Sequence, residues 1–300
     1  MADRTYGGFT TAIVREIPGS LAGDAAPPAE GEEREDAVQA VDLQKARDEW
    51  TTYVDTLRTL GLRVITIPAD EECPGCAFVA DTAVVVDGIA FITRPTNPDR
   101  RKELKAVKEV LEAQLGVGNV AELRDIEATL DGRDVLFTGR EFFVRVTESN
   151  NNAPQSPTRR TTRKKEKPAP KNDAGARLLA RVFPDFQVTS LYIQGDRPLQ
   201  SYLSMAGPDI IAAGEGEDAQ RVIEQIIEKA EYKYKVLCLP EDSAVDCVFV
   251  NGSLVHRTQE EIPKSTEVIE AKLTDLKKVI VPNSELAKVG ATLSALTVFI

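Results

Sequence analysis

Side chains able to act as nucleophiles or general bases are sparse in this sequence. It has four cysteines, at positions 73, 76, 238 and 247, and a single histidine, His256. Cys73 and Cys76 have the spacing of a redox motif or of half a zinc site, in the order Cys-Pro-Gly-Cys. Redox motifs of this spacing lie at helix N-termini, where the thiol pKa is lowered, whereas this one precedes a strand-like pattern. Zinc would need a second close pair, which Cys238 and Cys247 do not provide. We therefore expect Cys76 to be a buried core thiol and predict no metal or cofactor.

The segment Gly290–Ile300, GATLSALTVFI, combines an apolar strand-like pattern with hydroxyl groups. A serine or threonine hydroxyl is a poor nucleophile unless a neighbouring base removes its proton. Ser294 has no histidine within the surrounding sequence, and we expect His256, in VHRT, to be structural. The segment therefore predicts a buried strand and supplies no catalytic group.

The composition is that of an ordinary globular protein with a large core. Of 300 residues, 42% are apolar and 28% are charged, and the net charge of −11 argues against nucleic-acid binding by the body of the protein. Neither a membrane-spanning apolar run nor a signal-peptide pattern is present. Four cysteines do not form a disulfide framework, so we expect a reduced, cytoplasmic protein.

Two segments are expected to be loops within one domain spanning residues 1–300. Residues 23–36 form an acidic loop, and residues 148–173 have no periodicity and predict a disordered basic insertion. Arg159–Lys171 holds seven basic residues and one glutamate. Its two interpretations are a solvated surface loop, or a patch for nuclear localisation or for docking a protein partner.

Five helices are predicted from apolar residues that recur at helical spacing. The first contains Ala46, Trp50, Val54 and Leu57 on one face, and the other four span Leu104–Leu115, Ala176–Phe183, Ala219–Ala230 and Ser265–Leu276.

The strand-like segments between these helices resemble one another. ITIPADEECPGCAFVADTAVV, from Ile65, is similar to LCLPEDSAVDCVFVNGSLV, from Leu237, and aligns Cys76 with Cys247. Repeated units must bury their faces against their neighbours. A ring of five units achieves this if the last strand pairs with the first, Thr10–Ile17, which would explain why the C-terminal segment is apolar.

Several motifs, in order along the chain, resemble the dimethylarginine dimethylaminohydrolase family. They are TAIVREIPGSL, IPADE, AFVADTAVV, ITRP, ATLDGRDVLFTGREFF, SMAGP and VHRT. The resemblance implies a pentein fold, a five-bladed α/β propeller with the active site in a central channel. It also implies hydrolysis of methylated arginine by a cysteine nucleophile and a histidine acid/base, with carboxylates that hold the guanidinium.

Most of the catalytic positions implied by this resemblance carry unsuitable residues. The nucleophile position is Ala295, and the histidine position, just before SMAGP, is Pro198. Positions at which the family binds substrate are also altered, and they are Gly75, Ala80, Ser149 and Gly290. The positions that remain are Asp131, Asp81, Arg100 and the backbone of Val289.

These substitutions predict an inactive member of the family, acting as a binding, regulatory or scaffold protein. Loss of a triad nucleophile alone costs about a millionfold in rate in a well-measured hydrolase. Asp81 and Arg100 suggest a residual arginine-like ligand, while Arg133 and Arg145 suggest added positive charge near the channel. The alternative is an active hydrolase that converts methylated arginine to citrulline with displaced catalytic groups.

Overall fold

The computed structural model describes residues 6–23, 40–147 and 173–300. Almost all of the acidic loop expected at 23–36 and of the basic insertion expected at 148–173, including Arg159–Lys171, lies outside these residues. Within them, every helix is too short or too polar to cross a membrane.

The described residues form five three-stranded sheets, all with the same arrangement. In each sheet the middle strand pairs antiparallel with one edge strand and parallel with the other. The sheets, with the antiparallel edge strand first, are β15 (Val298–Phe299), β1 (Thr11–Arg15) and β2 (Arg63–Ile67); β3 (Ala83–Val86), β4 (Ile89–Ile92) and β5 (Val120–Glu122); β6 (Val135–Phe137), β7 (Phe142–Val146) and β8 (Val188–Tyr192); β9 (Leu203–Gly207), β10 (Ile210–Gly214) and β11 (Lys235–Leu239); and β12 (Cys247–Val250), β13 (Ser253–His256) and β14 (Lys277–Ile280).

A helix separates the middle strand from its parallel neighbour in every sheet. These helices are α1 (Leu43–Thr59), α2 (Leu104–Leu115), α3 (Asp173–Val182), α4 (Glu217–Lys229) and α5 (Pro263–Lys272), and a short α6 (Ser284–Ala287) follows β14. The five predicted helices are confirmed, and α2 ends as predicted before Gly116, whose φ of 83° suits glycine. The predicted end of the last helix at Leu276 is wrong. Leu273 is buried in the core and is followed by a turn into β14, so α5 ends at Lys272.

The C-terminal residues join the first sheet, as predicted. In β15, Val298 and Phe299 pair with β1, and Ile300 exchanges backbone hydrogen bonds with Thr11, at 3.0 and 2.9 Å. The prediction of a strand along the whole terminal segment is wrong, because Leu293–Leu296 forms a 3-10 helix.

The two similar segments do form equivalent hairpins, but aligning Cys76 with Cys247 paired the wrong residues. The Asp87-Gly88 and Asn251-Gly252 turns, each with positive φ at both residues, connect equivalent hairpins. Aligning these turns places Ala83, and not Cys76, opposite Cys247 at the start of the edge strand. Cys76 instead lies in a preceding 3-10 helix, Pro74–Ala77.

Candidate functional site

Each antiparallel edge strand is preceded by a short 3-10 helix, and four of the site positions implied by the sequence lie in these helices or directly before them. Most of the neighbouring 3-10 helices contact one another. Asp81 and Ala295 lie within their helices, while Asp131 and Pro198 are the residues that precede theirs. The five 3-10 helices that precede the edge strands are Val79–Thr82, Gly132–Asp134, Leu199–Ser201, Asp242–Val245 and Leu293–Leu296.

Two buried aspartates that sequence reasoning missed connect these helices. Asp134 accepts a hydrogen bond from Leu199 N at 3.1 Å, and Asp246 accepts one from Leu293 N. Both aspartates immediately precede an edge strand, which is the only signal the sequence offers. Burial raises the pKa of Asp134 to about 7, despite its ion pair with Arg145, and raises that of Asp246 to about 6.

Asp81 is fully engaged by two arginines of the chain itself. It is 2% exposed, lies 2.8 Å from Arg133 Nε, and forms a second ion pair with Arg100 Nη1. Burial raises its pKa, but the two guanidinium groups outweigh that effect and lower the pKa to about 2. Arg133 also donates to Gly290 O at 3.3 Å and lies over the Phe78 ring. A guanidinium group thus already occupies the carboxylate that the resemblance assigns to substrate.

Arg100 is held by a dense internal network. Its Nη2 donates to Gly75 O and Phe78 O at 3.0 and 3.1 Å, and Nε and Nη2 bind the Glu103 carboxylate at 3.0 and 2.7 Å. A Cβ atom at Gly75 would lie 3.2 Å from Arg100 Nε. The guanidinium therefore fills the space beside this glycine.

The remaining positions implied by the resemblance have local structural partners. Asp131 is half-buried and accepts hydrogen bonds from Thr96 N at 3.2 and 3.3 Å. Burial and the nearby Asp81 charge raise the pKa of Asp131. The Val289 side chain, whose backbone the resemblance implies in substrate binding, packs against an apolar cluster that includes Ala295.

Neither position expected for the catalytic pair carries a reactive group. Ala295 is 0% exposed and lies in the apolar cluster with Phe78 and Leu293. Pro198 is half-buried, and its carbonyl accepts hydrogen bonds from the backbone and side chain of Ser201. Neither side chain can attack a carbon atom or transfer a proton.

The arginines considered as sources of positive charge near the channel are both paired. Arg133 is bound by Asp81, and Arg145 is buried with Asp134 at 3.2 Å and donates to Gly195 O. Ser149, the position implied for a substrate-binding arginine, lies outside the described residues.

Cys73 and Cys76 are buried, as predicted for Cys76, and their environment opposes ionisation. Burial and the Asp70 carboxylate raise the pKa of Cys73 to about 11, and burial raises that of Cys76. A reactive cysteine requires the opposite shift. Among the residues that the structure describes, no cluster of histidine, cysteine and acidic side chains has the geometry of a metal site.

One thiol that the sequence did not place near the site is that of Cys247. This residue begins an edge strand and lines a central cavity of about 150 Å³. Its cross-strand partner in the ladder is His256, the only histidine. The Cys247 Sγ atom, however, lies 3.1 Å from Ser204 Oγ, and burial raises the thiol pKa to about 12. His256 Nδ1 lies 2.8 Å from Arg257 O, and burial lowers its pKa, so the two groups do not form an activated pair.

Comparison with solved structures defines the class of fold. The dimethylarginine dimethylaminohydrolase of Pseudomonas aeruginosa, complexed with citrulline, superposes with a TM-score of 0.75 over 97% of this chain and 99% of that chain, at 20% identity. The arrangement of five small sheets is therefore the pentein-type α/β fold of that enzyme.

Sequence comparison identifies the family. "Putative hydrolase DDAH2" of Homo sapiens is 35% identical over 293 residues, which cover 95% of this chain and 92% of that protein. The dimethylarginine dimethylaminohydrolase of Streptomyces coelicolor is 37% identical over 108 residues, 35% of this chain. No family model matches the sequence. The chain belongs to the dimethylarginine dimethylaminohydrolase family.

Proposed function

We propose that this chain is a non-catalytic member of its family, a cytoplasmic protein with a binding, regulatory or scaffold role. The observation that carries the proposal is the pairing of Asp81 with Arg133 and Arg100. Two buried cations already neutralise the carboxylate that would hold a substrate guanidinium. With Ala295 and Pro198 at the nucleophile and acid/base positions, the chain has lost both substrate binding and bond cleavage at this site.

The proposal includes a closed propeller of five blades, formed by the chain as one domain. Two features support closure. The last strand pairs with the first, and the central cavity is lined by all five antiparallel edge strands. A closed ring leaves no unpaired sheet edge at the junction between its ends.

Restoring the missing groups tests the functional proposal. Citrulline release from dimethylarginine is measured for the unmodified protein, for Ala295→Cys with Pro198→His, and for the same pair combined with Arg133→Gly. We expect no turnover by the unmodified protein, and the greatest gain in the triple variant because Asp81 is partly released. Citrulline production by the unmodified protein would overturn the proposal.

An active hydrolase with displaced catalytic groups is the second candidate. It is favoured by one observation, the position of Cys247 in the central cavity opposite His256 in the ladder. The raised thiol pKa and the hydrogen-bonding distance to Ser204 weigh against it. If this candidate is correct, Cys247→Ala abolishes turnover while Cys238→Ala, in a half-buried cysteine of β11, preserves it.

Residual binding of an arginine-like ligand would require displacement of Arg133 from Asp81. Calorimetric titration with arginine and dimethylarginine measures this directly. We expect no heat of binding at millimolar ligand, and a saturable heat would show that the internal ion pairs open.

A separate part of the proposal concerns the basic segment Arg159–Lys171, which we propose binds an acidic protein partner or directs nuclear import. The segment holds seven basic residues and only one acidic residue, and this excess of positive charge supports the role. Deleting residues 158–171 is expected to change location or bound partners in cells. An unchanged distribution and partner set would contradict it.

A further inference from the structure

The segment Tyr6–Phe9, which precedes β1, lies between the central cavity and a second cavity. The second cavity, of about 210 Å³, is bordered by the hairpin turns of two sheets, at Asp87-Gly88 and at Gly139. Tyr6 and Phe9 line both cavities, so their side chains face each of them. The segment therefore forms part of the partition that separates the central cavity from the hairpin end of the sheets.

The Tyr6 ring covers the face of β12 that carries Cys247. Its centroid lies 6.4 Å from that of Phe249, in a stacked arrangement, and 6.2 Å from that of Phe9, edge-on. Phe249 lies two residues after Cys247 in the same strand, so the two side chains share one face. Burial and the nearby Cys247 thiol raise the pKa of Tyr6. Cys247 itself is 2% exposed, and the Tyr6 ring is part of what shields it.

Asn251, in the turn that follows β12, attaches this segment to the sheets. Its backbone N–H donates to Gly7 O at 2.7 Å, and its Oδ1 atom accepts a hydrogen bond from Phe9 N at 2.9 Å. From Tyr6 to Phe9 the chain is neither helix nor strand, and Gly7 and Gly8 lie between the two aromatic residues. Segments attached through few hydrogen bonds open locally at a lower free energy than the core.

We propose that Tyr6–Phe9 is a latch, which swings away from the Asn251 turn and joins the two cavities while the five sheets stay folded. In the closed state the latch keeps the Cys247 thiol buried. Opening gives small solutes access to this thiol from the hairpin end of the sheets. This inference goes beyond the proposed loss of catalysis and holds whether or not the chain hydrolyses amidines.

Alkylation of Cys247 measures opening, because the reagent requires an accessible and ionised thiol. The full chain with Cys238→Ala is treated with N-ethylmaleimide, and peptide mass spectrometry quantifies the adduct at each cysteine. The Cys238→Ala change leaves Cys247 as the only cysteine of its tryptic peptide. Cys76 is the internal reference, because it is 1% exposed and lines neither cavity.

Two adjacent glycines provide a matched pair of variants. Gly7 has a φ of 92°, and a Cβ atom there would lie 2.4 Å from the Phe249 ring, so Gly7→Ala displaces the latch. We expect this variant to be alkylated at Cys247 roughly tenfold faster than the unmodified protein. At Gly8 no atom would contact an added Cβ, so Gly8→Ala should leave the rate within about twofold.

Two further measurements decide the question if Gly7→Ala does not fold. Tyr6→Ala removes the ring without straining the backbone, and it should also increase the rate of alkylation at Cys247. In the unmodified protein, the Phe9 amide hydrogen should exchange with solvent faster than that of Thr11, which donates to Ile300 O at 3.0 Å in the first sheet.

Three results would overturn the inference. The first is an unchanged rate at Cys247 in both Gly7→Ala and Tyr6→Ala. The second is an equal increase at Cys76 and Cys247, which would show that the whole fold opens. The third is equal protection of the Phe9 and Thr11 amides, which would show that the latch opens only with the sheets.

Discussion

At the scale of single residues, Arg133 holds the Asp81 carboxylate as part of the protein's own structure. Its Nε atom binds Asp81 and its Nη1 atom binds Gly290 O, so one side chain connects two segments that are separate in sequence. Gly132 allows this approach, because a Cβ atom there would lie 1.9 Å from Ala80 O. Together with Arg100, Arg133 thus neutralises the Asp81 carboxylate from within the protein.

Asp81 is accordingly expected to stabilise the fold. Asp81→Asn should lower the free energy of unfolding by about 3 kcal/mol, because removing one partner leaves buried charges without compensation. Asp218, paired with Arg221 at the surface with both side chains about 65% exposed, provides the control. Asp218→Asn should change stability by less than about 1 kcal/mol. Equal effects in urea unfolding would show that the Asp81 cluster is not a structural element.

The sequence predicted which residues stand at the catalytic positions but not the contacts that surround Asp81. Pro198 was placed by its distance from the SMAGP motif, and Ala295 by its place in the terminal Leu-Ser-Ala-Leu run. The contact between Arg133 and Asp81 spans 52 residues, and that between Asp134 and Leu199 spans 65. Such pairings depend on how neighbouring sheets pack, which local spacing does not encode.

At the scale of secondary structure elements, the Asp87-Gly88 and Asn251-Gly252 turns fix the register of two equivalent hairpins. The long helices were predictable because their apolar residues repeat at helical spacing over ten or more positions. The 3-10 helices that carry the site have three or four residues in most cases, too few to show any period. The Asp-Gly and Asn-Gly turns were the stronger signal for repeat register, and aligning cysteines instead misplaced Cys76.

A substitution at Gly252 tests whether the Asn251-Gly252 turn requires glycine for its backbone conformation. Its φ is 78°, a conformation that strains any side chain, although no atom would contact an added Cβ. We expect Gly252→Ala to reduce stability by about 1 kcal/mol. Gly118 also has open space for a Cβ but no positive φ, so Gly118→Ala should cost less. Thermal unfolding of both variants measures the two losses of stability. Equal losses would contradict backbone strain at position 252.

The raised pKa of Asp246 predicts how the stability of the fold depends on pH. Its folded-state pKa, about 6, lies above the ordinary value of 3.8, so the folded state binds the proton more tightly than the unfolded state. The resulting stabilisation is complete below about pH 4 and is lost as the pH rises through 6, an effect of roughly 3 kcal/mol at most. Asp246→Asn, which keeps an acceptor for Leu293 N, should therefore show a smaller decline in stability between pH 4 and 7 than the unmodified protein. Parallel pH profiles in urea unfolding would refute the assignment.

At the scale of the whole molecule, the C-terminal strand joins the two ends of the chain. The sequence predicted that the last strand pairs with the first, from the burial that an apolar terminal segment requires, and β15 does pair with β1. The cavity and its lining were not predictable, because each of five distant segments contributes only a few residues.

If β15 closes the ring, we expect a defect in this strand to destabilise all five sheets together. Val298 is 4% exposed, and Val298→Asp places an unpaired charge in the core, so we expect a loss of several kcal/mol in one unfolding transition. Ile280, 53% exposed in β14, is the control, and Ile280→Asp should have little effect. A local loss of structure confined to the first sheet would contradict a cooperative ring.

Loss of catalysis is tested most directly by a single-turnover experiment on the unmodified protein. The protein is incubated in molar excess over dimethylarginine, and citrulline is quantified by mass spectrometry against a protein-free blank and the Cys247→Ala variant. We predict citrulline at the level of the blank in both proteins, since Ala295 and Pro198 leave no group to cleave the bond. Stoichiometric citrulline from the unmodified protein, absent with Cys247→Ala, would contradict it.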